Sequence, residues 1–360
     1  MRLAIYPSNR CNMACRYCMV NLNQGPAVVI TSQILHEALE WLMNYPDPRP
    51  DRNITFFGGE PLLHYALLEE FISFARARYP PASLDMVIVT NGYYLDRAKA
   101  AFFSEHQVAV DISLDGAEKW NDRYRIFARN SWRSVFRTVM RRSEGNRRGV
   151  RASMVVAPDT AAALAENVKF IHRSGFQMMG LGLNYLANWR PESLECLLRS
   201  LAEIKDYILE ASGNEGLGFS AVYGSPRDTA HGPLEPAECD VVLGSDGYFY
   251  ASHAAVTVPY GENKTQRTGS PRSGLNVGLV REILLSPLEA QRKEIGLAST
   301  RELYDEFFAL MREFPGLLCA AHWTMLNQRN PTRRLGNMLR AASIIHRSWL
   351  TGLPFNDWAM

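Results

Sequence analysis

The sequence predicts an α/β protein built as a partial (β/α)6 barrel of the TIM type, followed by a smaller α+β domain. Six short apolar segments alternate with amphipathic segments of helical length over residues 1–211. Polar and glycine-rich turns follow the ends of several of these strands. Strands that alternate with helices form parallel sheets with right-handed crossovers, and ligands bind at their carboxyl ends. A doubly wound open sheet shows the same alternation and is the alternative architecture.

The barrel elements are read from periodicity and from turn residues. The first helix, residues 31–43, begins at an N-cap of Thr31 or Ser32 and carries apolar residues at helical spacing. The predicted strands span residues 3–6, 53–57, 85–90, 108–114, 150–156 and 178–186. The predicted helices span residues 31–43, 65–78, 96–104, 131–142, 161–174 and 192–211.

The second domain is predicted over residues 212–360, where the composition changes. Residues 213–236 are rich in Gly, Pro and Ser, which is typical of a connecting segment. We expect a hairpin over residues 241–251 and an exposed loop over residues 259–274. Three further helices are predicted at residues 286–295, 300–314 and 332–349.

Composition excludes several classes of protein. The 360 residues are 47% hydrophobic and 21% charged with a net charge of +2, which does not favour a nucleic-acid partner. The six cysteines include three that are crowded near the N-terminus, so we expect free thiols in a reduced cytoplasm rather than a disulfide scaffold. The sequence shows no signal peptide and no apolar run of about 18–20 residues, so no membrane segment is expected.

The stretch CNMACRYC follows the first strand and spaces Cys11, Cys15 and Cys18 as C-x3-C-x2-C. Thiolates favour iron–sulfur clusters, zinc or copper(I). Zinc normally takes a fourth protein ligand, whereas three cysteines on a cubane leave one iron open for a substrate. A structural zinc site or a chance cluster of cysteines is the alternative.

Three further turns at strand ends are candidates for ligand binding. Gly58, Gly59 and Glu60 belong to a GGEP turn after the second strand, where glycines permit close backbone approach. Asn91 lies in a TNG turn after the third strand, although Asn-Gly is also a common turn sequence. An SLDG turn, which contains Ser113 and Asp115, ends the fourth strand.

Together these motifs resemble the radical S-adenosylmethionine (radical SAM) superfamily, in which an aromatic such as Tyr17 usually precedes the third cysteine. The resemblance implies a [4Fe–4S] cluster on Cys11, Cys15 and Cys18, with S-adenosylmethionine bound at the open iron. It also implies reductive cleavage to a 5′-deoxyadenosyl radical, which removes a hydrogen atom from the substrate. An electron donor such as flavodoxin or ferredoxin would supply the electron.

The resemblance also assigns cofactor contacts to individual residues. The GGEP turn would hold the amino group of S-adenosylmethionine, and Ser113 its ribose. Arg125 would lie near the carboxylate, with Arg123 as the alternative. The full predicted set is Tyr17, Gly58, Gly59, Glu60, Asn91, Ser113, Asp115 and Arg125; no catalytic acid, base or hydrogen donor is assigned.

The C-terminal third resembles a degenerate SPASM/twitch domain. Ser252 stands where relatives usually have a cysteine, and the later C-x2-C is replaced by Cys319-Ala-Ala-His322. We expect that the auxiliary cluster has been lost and the fold retained. The alternative is a second metal site of mixed ligands, which would be Cys239, His253, Cys319 and His322.

The resemblance therefore predicts an enzyme that acts on a peptide of the ribosomally made, modified class or on another natural product. No N-terminal peptide-binding domain is expected before the first strand, so a peptide would dock elsewhere. A non-catalytic iron–sulfur or zinc scaffold that retains the fold is the alternative. A SAM-dependent methyltransferase is a third hypothesis, but its extra reactive cysteines or cobalamin domain are not evident in the sequence.

Overall fold

The computed structural model describes residues 1–18, 20, 25–47, 51–128, 134–145, 147–184, 187–211, 218–221, 240–256 and 266–280. The three helices predicted beyond residue 285 lie outside the described residues, as do Cys239, Cys319 and His322. Among the described residues, none of the helices combines the length and the apolar character that crossing a membrane requires.

The described strands form one sheet of mixed direction. They are β1 (Arg2–Ile5), β2 (Asn53–Phe56), β3 (Asp85–Thr90), β4 (Val108–Ser113), β5 (Arg151–Val156), β6 (Met178–Leu183), β7 (Gly218–Ala221), β8 (Asp240–Leu243), β9 (Phe249–Tyr250), β10 (Arg267–Ser270) and β11 (Gly274–Leu275). The order across the sheet is β11-β10-β9-β8-β1-β2-β3-β4-β5-β6-β7.

Strands β1 to β7 lie side by side in chain order and are parallel, as in a barrel that winds in one direction. A doubly wound sheet would instead reverse its order at a switch point. The arrangement confirms the predicted partial barrel. Beyond it, β8 pairs in parallel with β1, and β9 to β11 continue as antiparallel strands.

The helices are α1 (Ser32–Asn44), α2 (Tyr65–Arg78), α3 (Arg97–Glu105), α4 (Glu118–Tyr124), α5 (Val135–Arg142), α6 (Leu164–Arg173), α7 (Pro191–Ala211) and α8 (His253–Val256). Side-chain oxygens cap three of them, because Thr31, Asp96 and Ser134 accept backbone N–H bonds at the starts of α1, α3 and α5. Short 3₁₀ turns precede α2 and α6.

Several short elements differ from the prediction. Helix α4 was not predicted, and its seven residues follow directly from the SLDG turn. Strand β7 lies within the predicted connecting segment, and β10 lies within the predicted exposed loop, so both loop predictions were wrong at these residues. Short strands in polar, glycine-rich sequence are formed by pairing with a neighbouring strand rather than by their own apolar pattern.

The two faces of the parallel sheet have different chemistry. The face that packs against the helices carries the apolar core, which includes Leu3, Ile54, Ile88, Ile112 and Met154. Residues on the opposite face alternate with these and are more polar. They include Thr55, Asp111, Ser113 and Ser153. The interior of the partial barrel therefore mixes polar groups with apolar residues such as Val87 and Val89, and the strand-end turns open onto it.

Candidate active site

The cysteine loop leaves the carboxyl end of β1 and pairs with the chain that follows α4. The N–H of Ala14 donates to the carbonyl of Ile126 (2.8 Å), and the N–H of Arg16 donates to the carbonyl of Tyr124 (2.9 Å). These backbone bonds are of the antiparallel type. The loop is thus held by a distant segment and not by a helix or strand of its own.

The three thiols differ in exposure. Cys11 and Cys15 are half-buried and Cys18 is exposed. The N–H of Met13 donates to the sulfur of Cys11 (3.3 Å), and so does the side-chain amide of Asn91 (3.8 Å). Burial raises the pKa of Cys11 to about 12 and that of Cys15 to about 11, so both are protonated near neutral pH until a metal displaces the proton.

The donor set fits an iron–sulfur cluster. Three soft sulfur ligands lie in one loop of eight residues, and N–H groups are directed at the sulfur of Cys11. Such N–H···S bonds tune the reduction potential of a bound cluster. Within the described residues, no three His, Cys, Asp or Glu side chains are gathered closely enough to hold a single metal ion.

The GGEP turn packs directly beneath the cysteine loop. Gly58 adopts φ +105°, and a Cβ there would lie 2.3 Å from the ring of Tyr6. A Cβ on Gly59 would lie 1.9 Å from the carbonyl oxygen of Arg10, which also accepts the N–H of Glu60 at 2.9 Å. The glycines are therefore required for contact between two turns of the chain itself.

The carboxylate of Glu60 is buried and accepts three hydrogen bonds. One oxygen accepts from the N–H of Leu62 (3.0 Å) and the hydroxyl of Thr90 (2.6 Å), and the other accepts from the N–H of Asn91 (2.8 Å). Burial raises the pKa of Glu60 to about 7 although all three bonds lower it. The side chain joins the turns after β2 and β3, and both of its oxygens are engaged.

Asp115 forms a second buried junction at the end of β4. One oxygen accepts from the hydroxyl of Tyr17 (2.5 Å) and from Nε of Arg125 (3.0 Å). The other accepts from Nη2 of Arg125 (2.8 Å) and from the N–H of Val155 (2.9 Å). Burial alone would lower the pKa of Arg125, but Asp115 together with Tyr17 and Cys15 outweighs it and raises the pKa.

The structure places Arg123 and Arg125 in different environments, which the sequence alone did not distinguish. Arg125 is 6% exposed and faces Asp115, whereas Arg123 is paired with Asp159 at the surface. Asp115 binds the guanidinium of Arg125 along its Nε–Nη2 edge. Of the two, only Arg125 lies beside the cysteine loop.

The rest of the SLDG turn is shaped by α6. Gly116 adopts φ +135°, and a Cβ there would lie 2.2 Å from Oδ1 of Asn167. That oxygen also accepts the N–H of Ala117 at 3.0 Å. Ser113 is half-buried and is paired with Ser153 across β4 and β5.

Two buried amides were not identified from the sequence. Oδ1 of Asn121 accepts the N–H of Asp115 (3.0 Å), and Asn167 holds the Gly116–Ala117 peptide. Asn121 is only six residues from Asp115, so its proximity was a usable signal. Asn167 is about fifty residues further along the chain, and no local pattern indicates its role.

Comparisons with known proteins identify the family of the domain that carries these turns. Residues 5–171 match the family model described as the radical SAM superfamily. The chain carries a radical SAM domain. The family implies a [4Fe–4S] cluster and S-adenosylmethionine as cofactors, and the match includes all three cysteines and the GGEP, TNG and SLDG turns.

Curated relatives of this radical SAM domain include sulfatase-maturating enzymes. A cysteine-type anaerobic enzyme of Clostridium novyi is 31% identical over 127 residues, or 34% of this chain and 34% of that protein. A serine-type enzyme of Klebsiella aerogenes is 28% identical over 134 residues, or 36% and 33%. The chain thus spans about a third of the length of the curated relatives that it matches.

The similarity in fold extends beyond the radical SAM domain. The solved structure of native anSMEcpe with bound AdoMet and Kp18Cys peptide aligns with a TM-score of 0.65 at 17% identity. The alignment covers 97% of this chain and 99% of that chain. At this level of identity the match establishes the fold.

His253 is the one member of the predicted second metal set within the described residues. Its Nδ1 is 2.9 Å from the hydroxyl of Tyr6, and its ring lies against Phe57 with 5.0 Å between ring centres. The imidazole is 9% exposed. It packs against the ends of β1 and β2, beside the GGEP turn.

Proposed function

We propose that this protein is a radical SAM enzyme that modifies a peptide by abstracting a hydrogen atom from it. When bound, the cluster and S-adenosylmethionine supply the 5′-deoxyadenosyl radical for that step. A small-molecule natural product is the second substrate class. The relatives whose names specify sulfatase maturation, and the solved neighbour bound to Kp18Cys peptide, support a peptide.

The observation that carries the proposal is the contact between the cysteine loop and the turns of the parallel sheet. The side-chain amide of Asn91 donates to the sulfur of Cys11 and to the side-chain oxygen of Asn12, at 3.8 Å and 2.7 Å. Glu60 holds the turn that contains Asn91. A scaffold without activity has no physical requirement to place both the GGEP turn and the TNG turn against the cysteine loop.

We assign the cofactor contacts as follows. Cys11, Cys15 and Cys18 hold the cluster. Gly58 and Gly59 offer backbone groups to S-adenosylmethionine, since both oxygens of Glu60 are engaged within the protein. Direct contacts are assigned to Asn91, Ser113 and Arg125, whereas Tyr17, Glu60 and Asp115 hold the surrounding turns through hydrogen bonds within the protein.

The exposed position of Cys18 supports electron delivery by a docked protein such as flavodoxin or ferredoxin. Electron transfer needs a short distance between donor and cluster, and Cys18 is exposed among the described residues. The reduced cluster also requires a reducing environment, which supports a cytoplasmic location.

For the C-terminal region we propose a lid or substrate wall that holds no second cluster. Nδ1 of His253 is bonded to Tyr6, so that nitrogen would have to leave its partner before it could bind a metal. The competing proposal is a mixed site formed by His253 with Cys239, Cys319 and His322.

The test is anaerobic reconstitution, an iron and sulfide count, and EPR of the dithionite-reduced protein with and without S-adenosylmethionine. We expect about four irons per chain, a signal that S-adenosylmethionine changes, and formation of methionine and 5′-deoxyadenosine. Cys15→Ala should lose the iron and the products. Bound zinc without iron would contradict the enzyme proposal, and bound iron without S-adenosylmethionine cleavage would favour a scaffold.

The same count separates the two proposals for the C-terminal region. About eight irons per chain, or a second EPR signal that survives in Cys15→Ala, would establish an auxiliary cluster. His253→Ala should leave the iron count unchanged if the region holds no metal.

A further inference from the structure

The cysteine loop has no regular secondary structure of its own, and residues 124–128, here called the clamp segment, hold it in place. Three backbone hydrogen bonds join the two, from Ala14 to Ile126 (2.8 Å), from Arg16 to Tyr124 (2.9 Å) and from Ala128 to Asn12 (3.0 Å). The bonds alternate along both chains as in an antiparallel ribbon. The backbone between the first two cysteines is therefore fixed by the clamp segment.

One side chain of the clamp segment faces into the protein and fixes the segment itself. Arg125 lies between the two carbonyls that bind the loop, and its guanidinium makes a bidentate contact with Asp115. A buried guanidinium needs a partner of this kind, because an unpaired charge is costly to bury. Asp115 thus determines where the clamp segment lies.

Asp115 also holds the cysteine loop directly and is itself held by the barrel wall. The hydroxyl of Tyr17, between Cys15 and Cys18, donates to one carboxylate oxygen. The N–H of Val155 in β5 donates to the other. A single buried carboxylate therefore connects the loop, the clamp segment and the wall.

We propose that Asp115 is a positioning residue that preforms the cysteine loop and so determines how firmly the cluster is retained. This inference rests on the proposed function only for its iron readout. It assigns Asp115 to the loop rather than to a direct contact with S-adenosylmethionine, because four donors already fill the carboxylate. Partners behind metal ligands typically change metal affinity by about 10–100-fold when they are removed.

The strand offers a matched control. Asp111, four residues earlier and within β4, is buried and pairs with the half-buried Arg151, with 2.7 Å between its Oδ1 and the arginine Nε. It is as buried as Asp115, at 2% and 7% exposed, but it bonds to the wall and not to the loop. Both pairs join a buried aspartate to an arginine, although the Arg151 side chain is 29% exposed and that of Arg125 is 7% exposed. The Asp115 carboxylate also binds Tyr17 of the cysteine loop.

The experiment compares Asp115→Asn, Asp111→Asn and Tyr17→Phe in the reconstituted protein. The readouts are the rate of iron release to a chelator, the EPR signal and the reduction potential. We expect about tenfold faster iron release and an altered signal for Asp115→Asn. Tyr17→Phe, which preserves the ion pair, should show a smaller change in the same direction. Asp111→Asn should lower the melting temperature but leave iron release within about twofold of the native rate.

A second readout needs no cluster. In the metal-free protein, the alkylation rate of Cys15 by iodoacetamide measures how often the loop opens. We expect an increase of about fivefold or more in Asp115→Asn, and part of it in Tyr17→Phe, with none in Asp111→Asn. If the native protein binds no iron, this measurement still tests the inference.

Two results would overturn the inference. The first is equal iron release and equal alkylation for Asp115→Asn and Asp111→Asn. That result would mean that both ion pairs contribute only to the overall stability of the fold. The second is unchanged loop reactivity in Tyr17→Phe when Asp115→Asn does not fold. Slow alkylation in Asp115→Glu would support the inference, because it would show that the carboxylate at this position holds the loop and that the exact length of the aspartate side chain is not required.

Discussion

At the amino-terminal edge of the parallel sheet, arginine side chains donate to backbone carbonyls, whereas at the carboxyl edge acidic and amide side chains accept from N–H and O–H groups. Arg76 donates to the carbonyls of Leu84, His106 and Gln107, at 2.7, 2.7 and 3.1 Å. Arg52 and Arg147 bind helix-end carbonyls in the same way. At the other edge, Glu60, Asp115, Asn121 and Asn167 are the acceptors.

The difference follows from the direction of the elements. Helices of the barrel end at the amino-terminal edge and leave carbonyls without helical partners, for which an arginine supplies several donors at once. At the carboxyl edge, the strands run out into turns whose N–H groups need acceptors. At the amino-terminal edge, the carbonyls are therefore hydrogen-bonded by arginines whose role is to stabilise the fold. The other edge is satisfied by groups that also place the cysteine loop.

Gly59→Ala should give the largest effect, and it should affect both stability and iron binding. The new Cβ would lie 1.9 Å from the carbonyl oxygen of Arg10 and 2.7 Å from its carbon, and backbone atoms cannot move aside cheaply. We expect a loss of about 3 kcal/mol in the free energy of unfolding and a clear loss of bound iron. Chemical denaturation and iron analysis measure the two.

Gly149→Ala is the control, because no atom lies within 4 Å of the corresponding Cβ and it sits at the amino-terminal edge. It should change stability by less than about 0.5 kcal/mol. A Gly59→Ala protein with native stability and full iron would show that the cysteine loop does not depend on contact with the GGEP turn.

Arg76→Met should lower stability with no effect on the cofactors. Three carbonyls lose their donors while the apolar part of the side chain is kept, so we expect a loss of about 2 kcal/mol. Arg78→Met, on the same helix but exposed, should cost much less. Urea denaturation and iron content provide the readouts, and reduced iron in a folded Arg76→Met protein would contradict the division between the edges.

The smallest expected effect is a pH dependence of stability that arises from Glu60 at the carboxyl edge. Glu60 titrates near its usual value of 4.5 when unfolded, but its pKa is raised to about 7 in the folded protein by burial. Between these values the unfolded state has lost a proton that the folded state retains, so stability falls as pH rises. The expected slope from this group is about 1 kcal/mol per pH unit.

Glu60→Gln should remove that slope, because glutamine does not titrate. The measurement is the difference between native and Glu60→Gln stabilities in the metal-free protein from about pH 5 to about pH 7. A difference that stays constant over this range would mean that the three donors outweigh burial and that Glu60 is ionised throughout.

The fold was predictable where local pattern and final structure agree. The six barrel strands and helices such as α2 follow from apolar periodicity, and the polar turns lie at the carboxyl edge as the parallel sheet requires. Strands β7 and β10 were not predictable, since all their residues except Phe219 are small or polar and they exist through pairing with β6 and β9.

The candidate site was predictable as a set of turns but not as a network. The motifs identify Cys11, Gly59 and Glu60 from neighbouring residues alone, while their assigned roles stay predictions. The bonds from the Tyr17 hydroxyl to Asp115 and from the Ala117 N–H to Asn167 connect residues 98 and 50 positions apart. Only the path of the chain in three dimensions brings those groups together.

The position of β1 has a consequence for how the protein can be divided. This strand is paired on both sides, with β2 and with β8, so a strand from beyond residue 211 covers what would otherwise be a free edge. A chain cut after residue 211 would leave the N–H and C=O groups of that edge open to other molecules, which promotes self-association. The barrel and the strands that follow it are therefore expected to unfold together, and the natural unit for expression is the whole chain.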